Sequence, residues 1–281
     1  MTLDEITPLI LTLDEAPNIA RCLARLQWAK SVLIVDSFSR DDTEQVAHAC
    51  HPNVEIRQRR FDTHAAQWNF GLDQIVTPWV LALDADYELS PEIIQELERM
   101  SPDDEISGYE AGFTYRIFGK PLRATLYPAR TVLFRKERAR YVDEGHTQIL
   151  RVMGKVLRLS GRIYHDDRKP LRRWIRSQDS YSIIEARYLI SQPNDRLDRQ
   201  DRLRKRIFFA PIVMFLYLLF GRGLILEGWR GWYYVCQRTI AEMLLSLRLL
   251  TEPEGLEKRT TESGADASPD SFRPDGSGNS R

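Results

Sequence analysis

In WVLALDADYELSP, residues 79–91, the apolar run Trp79–Leu83 gives way at once to Asp84 and Asp86, with only Ala85 between them. Like charges that close repel, and taking either carboxylate out of water is costly, so the pair demands compensation. Residues two apart in an extended chain point the same way. Two carboxylates on one side of a cleft, with coordination positions left open, suit Mg²⁺ or Mn²⁺ shared with a substrate's phosphates. Acids at strand ends also serve as turn formers and helix caps. Here Ser90-Pro91-Glu92 starts the next helix through Ser90, which leaves Asp84 and Asp86 without that role.

Such a pair needs a frame. Ile6–Leu13 is a compact apolar run, followed by Asp14, Glu15 and the helical NIARCLARLQWA. Ser31–Asp36 is a second strand that ends on an acid, and the helical EQVAHAC follows it. Asn53–Arg57 is a third strand, residues 64–76 read as a helix, and Trp79–Leu83 is the fourth strand. Strand and helix alternating at this spacing predict an α/β protein with a mostly parallel sheet flanked by helices. Ligands of such sheets sit beyond the carboxyl ends of the strands. Thr12, Asp14, Glu15, Asp36, Asp84 and Asp86 all fall there. After these elements, YEAGFTYRIFG, TVLFRK and KVLRLSGRIYH read as added antiparallel strands around the site. YVDEGHTQ, residues 141–148, forms a second polar knot.

Composition narrows the function classes. With 40 basic and 40 acidic residues the formal net charge is zero, which argues against a nucleic-acid binder acting through global charge. Cys22, Cys50 and Cys236 have neither CxxC spacing nor an even-numbered framework, so disulfide staples and structural zinc are not expected. The first residues read as a strand rather than a signal peptide. No stretch approaches the ~20 apolar residues of a spanning helix. The expected location is cytoplasmic, peripheral on the inner face of the cytoplasmic membrane. No Gly-rich phosphate loop and no GxGxxG follow the first strand, which disfavours a dehydrogenase.

The pieces LILTLDEAPNIARCL, SVLIVDSFSRDDT, QWNFGLDQ and WVLALDADYELSPE together resemble family-two glycosyltransferases of the GT-A fold. The resemblance extends to the bacterial branch with lipopolysaccharide-core glucosyltransferases. It implies a nucleotide-sugar donor, with a UDP-sugar favoured, and Mg²⁺ or Mn²⁺ as cofactor. Thr12, Asp14 and Glu15 would line the base and ribose pocket, Asp36 would bind the base, and Gln67 and Asn69 would lie near the nucleotide. Asp84 would face the ribose or the metal, and Asp86 would be the principal metal ligand. In that family an acid in the region of the second knot is the general base. Asp143 and Glu144 are the candidates, with Glu144 favoured, and His146 is a candidate to orient the base or touch the metal. His165, in YHDDR, ranks below it. Asp14 stands where the family commonly has asparagine.

The expected domains are a GT-A domain over 1–167, a basic and apolar helical, membrane-associating extension over 168–250, and a disordered tail over 251–281. Within the extension, IFFAPIVMFLYLLF, residues 207–220, would extend about 21 Å as a helix, short of a bilayer core. It reads either as a helix packed on the catalytic domain or as an interfacial element. Neighbouring arginines and the Trp229, Trp232, Tyr233 and Tyr234 cluster favour the interface. The expected function is inverting, metal-dependent transfer of a sugar to a glycan or lipid-linked acceptor at a membrane surface. A sugar nucleotidyltransferase and a catalytically inactive membrane-bound scaffold are the alternatives.

Overall fold

In a computed structural model, residues 1–144 and 147–265 are described. The first apolar run forms β1 (Ile6–Thr12), which pairs in parallel with β2 (Val32–Asp36) on one side. Further out, β3 (Val54–Gln58) pairs in parallel with β2. The intervening helices are α1 (Ile19–Ala24) and α2 (Thr43–Cys50). After α3 (His64–Gln74) the chain returns to the opposite side of β1 as β4 (Trp79–Asp84), again parallel. Thr12 lies opposite Asp36 and Leu11 opposite Asp84, so the acidic ends of β1, β2 and β4 form one row. The reversal of strand order between β1 and β4 opens a crevice at that row.

Alternation along the strands divides the core in two. Ile6, Ile10, Ile34, Leu81 and Leu83 face α1, whereas Leu9, Leu33, Val35 and Val80 face Trp68 and Leu72 of α3. Burial on both faces explains why the first strands read as continuous apolar runs. Gly71 lets α3 lie close to the sheet, because a Cβ there would come within 2.5 Å of the Leu9 side chain.

The remaining strands complete the sheet. They are β5 (Tyr87–Leu89), β6 (Ile106–Ile117), the short β7 (Lys120–Pro121), β8 (Arg130–Arg135) and β11 (Lys155–His165). The path runs β3-β2-β1-β4-β8-β6-β11-β5, with β7 beside β6. Of the added strands, β8 is antiparallel to both β4 and β6, and β5 is antiparallel to β11. β6 and β11 differ from the expected antiparallel arrangement, since they pair in parallel. The chain between them is long enough for a crossover, which includes β8 and a separate antiparallel pair, β9 (Ala139–Glu144) and β10 (Thr147–Val152). The helix α4 (Pro91–Arg99) starts at Ser90, whose hydroxyl accepts from the Ile93 amide.

Past the sheet come α5 (Leu171–Ser191), α6 (Arg199–Arg204), α7 (Phe209–Leu216), a π-turn over Tyr217–Gly221 and α8 (Trp229–Ala265). Thus α8 continues through Thr251, where the sequence reading starts a tail. Ala186 and Leu189 of α5 pack on Leu245 and Leu249 of α8. Leu218, Leu219, Leu224, Tyr234 and Val235 close over Ile117 at the end of β6 and Leu122 just after β7. Among the described residues, no helix is long and apolar enough to cross a membrane. The apolar segment packs on the core through one side and leaves the other open. Ala210, Leu218 and Leu219 are buried, while Phe209, Ile212, Val213, Leu216 and Phe220 are exposed. Their spacing places the exposed set on one helical face.

Candidate active site

Asp36, at the end of β2, is buried and holds the neighbouring loops. Its Oδ1 accepts from the Thr12 hydroxyl at 2.7 Å and from the Ser39 hydroxyl at 2.5 Å, while Oδ2 accepts from the Ser39 amide at 2.8 Å. Asp14 follows β1 in the left-handed region, at φ 50°, a conformation its short polar side chain tolerates. Its amide donates to Ser39 Oγ and its Oδ1 accepts from the Arg40 amide, both at 2.7 Å, and Oδ2 lies 3.2 Å from Arg173. Glu15 accepts from Asn18 at 2.9 Å and from Lys169 Nζ at 2.7 Å. Burial pushes the Glu15 carboxyl up to about 7 despite that ammonium, and Asp86 adds to the rise. These side chains pin the crevice floor to the segment that leads into α5.

Gln67 and Asn69 lie on α3, and both spend their amides on protein groups. Gln67 donates to Ser37 Oγ and to the Arg59 carbonyl, and its Oε1 accepts from Arg59 at 2.7 Å. Asn69 forms two bonds with the Tyr141 backbone, donating to the carbonyl at 2.8 Å and accepting from the amide at 3.1 Å. With Tyr141 stacked on Trp68 at 5.2 Å, these bonds fix β9 against the helix. Thr63, the N-cap of α3, donates to Asp143 Oδ2 at 2.9 Å. Asp143 is exposed, so α3 places an open carboxylate above the crevice. His64, held below its usual range by burial, feels the charges of both Asp84 and Asp143, as well as Arg130. The backbone of Glu144 is described without its side chain, and His146 lies outside the described residues.

Asp84 and Asp86 differ in environment. Asp84 is half-buried, and among the described residues no donor reaches its carboxylate. Asp86 Oδ2 lies 3.2 Å from His165 Nε2, at the end of β11. Its Oδ1 and the other nitrogen of His165, Nδ1, are buried without partners among the described residues. Burial opposes the Asp86 charge, yet His165 and Lys169 hold its carboxyl below the usual range. Burial alone would lower His165, and the opposing charges of Asp86, Asp84 and Asp167 keep it raised. Both aspartates bear on the same groups. After burial, their charges contribute to the raised hydroxyls of Tyr87, Tyr127 and Tyr181. The two carboxylates therefore lie near the same three tyrosines and near His165.

A divalent cation fits this donor set only in part. Among the described residues no three His, Cys, Asp or Glu side chains converge into a metal cage. The unpartnered Asp86 Oδ1 and the open Asp84 offer two hard oxygens of the kind that suits Mg²⁺ or Mn²⁺, while His165 is engaged with the other oxygen of Asp86. That is the sparse protein contribution expected where a substrate's phosphates complete the shell.

Sequence reasoning ranked His165 low and missed Lys169 and Tyr127. The usable signal was YHDDRK itself, a polar run at the end of the last long strand. Arg135 donates to the carbonyl of Ile106 at 2.9 Å and covers Trp79, whereas exposed Arg130 lies over Tyr127 near Asp84.

Residues 9–147 match the model of glycosyl transferase family 2. An uncharacterized glycosyltransferase of Rickettsia prowazekii is 26% identical over 203 residues, covering 67% of this chain and 69% of its own. The lipopolysaccharide core biosynthesis glycosyltransferase LpsC of Rhizobium meliloti is 26% identical over 238 residues, covering 80% and 84% respectively. Among solved structures, S. aureus TarS 1–349 in complex with UDP-GlcNAc aligns with 86% of this chain and 82% of its own, at 14% identity and a TM-score of 0.45.

Proposed function

The chain is a glycosyltransferase with a family 2 domain, and from that premise we propose that it transfers a sugar, with inversion, from a nucleoside diphosphate donor to a glycan or lipid-linked acceptor at a membrane surface. The observation that carries the reading is the acidic crevice at the ends of β1, β2 and β4, where Asp86 keeps a buried oxygen without a partner. Asp84 and Asp86 would hold Mg²⁺ or Mn²⁺, with His165 orienting Asp86 through their 3.2 Å contact. Bound there, the cation would offset the charge of the departing diphosphate. The ends of β1 and β2, with Thr12, Asp14, Glu15 and Asp36, would frame the nucleoside, and UDP is the favoured nucleotide.

For the acceptor, Asp143 is the described carboxylate best placed to act as base, held by Thr63 and open to solvent; Glu144 is the second candidate. A carboxylate within reach of the acceptor hydroxyl takes its proton as the oxygen attacks the anomeric carbon. The bond from that carbon to the diphosphate oxygen breaks on the opposite face, so one displacement inverts the centre. Two features support a membrane-borne acceptor. Apolar residues of α7 and, further along the chain, Leu226 and Trp229 are exposed, and similarity to LpsC favours a cell-envelope glycan.

Titration calorimetry with UDP, with and without Mn²⁺, tests the donor site. The wild type is expected to bind UDP at least about tenfold more tightly with the metal, a difference of about 1.4 kcal/mol. Asp86→Asn is expected to abolish that gain without altering the far-UV circular dichroism. UDP binding indifferent to both metal and substitution would refute the proposed site.

A further inference from the structure

On the other side of Tyr127 lies a second cleft, of about 400 Å³, lined by Arg123, Arg158, Arg162, Arg222 and Thr125. Two of these arginines are brought together by a backbone irregularity. Arg158 pairs with Glu110 of β6 and Arg162 with Gly112, so the bulge sets residues four apart on β11 opposite residues only two apart on β6. Bulges re-aim side chains in this way, here placing two guanidinium groups side by side. A Cβ on Gly112 would lie 3.5 Å from Arg158 Nη2 and 3.8 Å from Arg162 Cζ, which shows both heads gathered over bare backbone.

The bulge is firmly built. Glu96 of α4 accepts from the Ser160 amide at 3.0 Å, the Ser160 hydroxyl at 2.9 Å and the Gly161 amide at 3.2 Å. At Gly161 any side chain would meet Ile93, since a Cβ would come within 2.5 Å of it.

The positive charge is incompletely offset. Glu227 accepts from Arg123 at 2.7 Å, and Glu110 stands 3.8 Å from Arg158. Arg162 donates to the Phe113 carbonyl and Arg222 to the Thr125 carbonyl, so neither bond neutralises a charge. Guanidinium forks left without carboxylates suit the several oxygens of a phosphate group. Position narrows the choice. The Tyr127 hydroxyl meets that of Tyr87 at 2.5 Å and its ring lies 4.7 Å from His165, which ties the cleft to the carboxylate site. In the chain, Arg222 falls between Phe220 and Leu226, which are 60% and 71% exposed.

We propose that this arginine cleft binds a phosphate group on a membrane-borne acceptor, and so holds that acceptor between the apolar rim and the carboxylates. The proposal rests on the membrane-surface reading of the acceptor given above. A phosphate that belongs to a lipid holds the protein on vesicles, whereas free phosphate does not, and this difference separates the two sources.

The test is co-sedimentation of the full chain with phosphatidylcholine vesicles carrying either phosphatidic acid or charge-matched phosphatidylserine. The wild type is expected to prefer phosphatidic acid on the order of tenfold. Arg158→Gln/Arg162→Gln is expected to lose that preference while UDP affinity stays as in the wild type. If the double variant fails to fold, Arg222→Gln, which removes one exposed side chain, is expected to reduce the preference about threefold. Three results would overturn the proposal: equal binding by wild type and variants, loss of UDP affinity in the variants, or release by micromolar inorganic phosphate. A wild type that fails to bind UDP would instead sink the donor reading and leave the vesicle comparison intact.

Discussion

Glu15 and Lys169 form a pair in which burial and charge oppose each other. The fold raises the Glu15 carboxyl from 4.5 to about 7, chiefly by desolvation, while Lys169, 2.7 Å away, works to keep it ionised. A raised carboxyl means that the folded state binds the proton more tightly than the unfolded chain does. The stability it contributes is therefore present below pH 4.5 and is lost as pH climbs through about 7. Lys169→Met would leave a buried charge with Asn18 as its remaining donor and no opposite charge beside it, a type of change that costs about 3–5 kcal/mol in a sealed interior and about 2 kcal/mol at this partly open site. The loss is expected to be larger near pH 8 than near pH 5, where Glu15 is protonated and only Asp86 and Asp167 still oppose the Lys169 charge. Glu15→Gln/Lys169→Met should restore most of it. Urea midpoints at the two pH values check this, and a loss independent of pH would refute the account. The same pair shows what the sequence discloses. Asp36, Asp84 and Asp86 are visible because strand ends and two-residue spacing are local features. Lys169 and His165 are not, because only the return of β11 and the start of α5 bring them to the crevice.

Among the elements, α3 has the widest influence on the site. Its N-cap orients Asp143, its Asn69 caps the Tyr141 backbone, and its Trp68 carries the Tyr141 ring. Asn69→Leu would leave the Tyr141 amide and carbonyl unpaired, at an expected cost of about 1–3 kcal/mol. Because β9 carries both candidate bases, the turnover rate should fall while UDP affinity stays near the wild-type value. Urea denaturation together with transfer kinetics and UDP titration would reveal that split. An equal loss of UDP affinity would instead place Asn69 at the nucleotide, as the family resemblance implied. The alternating elements up to β4 were legible because short apolar runs of strand length alternate with helical stretches. The parallel pairing of β6 with β11 was not, since Ile163 finds Phe113 only across the whole intervening chain.

For the whole molecule, the question is what the C-terminal helices do besides closing the core. Deleting residues 207–250 would remove Leu218, Leu219, Leu224 and Tyr234 from over Ile117 and Leu122, so a truncated chain would report damage to the catalytic domain. Point changes on the solvent side avoid this. Phe220 and Leu226 are 60% and 71% exposed, and replacing both with glutamate leaves the buried face of the segment intact. If that face rests in a lipid interface, each loses part of the roughly 1.5–3 kcal/mol that full burial of such a side chain contributes. The introduced charges would also face anionic headgroups. Phe220→Glu/Leu226→Glu is therefore expected to sediment with anionic vesicles at least about tenfold less, with UDP affinity and thermal midpoint unchanged. Losses at these two positions and at Arg158 and Arg162 should respond differently to salt. Raising ionic strength weakens attraction to phosphate groups and leaves the apolar contribution. Vesicle binding by the Arg158→Gln/Arg162→Gln variant should then be less salt-sensitive than that of the wild type, and binding by the Phe220→Glu/Leu226→Glu variant more so. If both variants kept the wild-type salt response, the cleft and the apolar face would not act on one membrane-borne ligand.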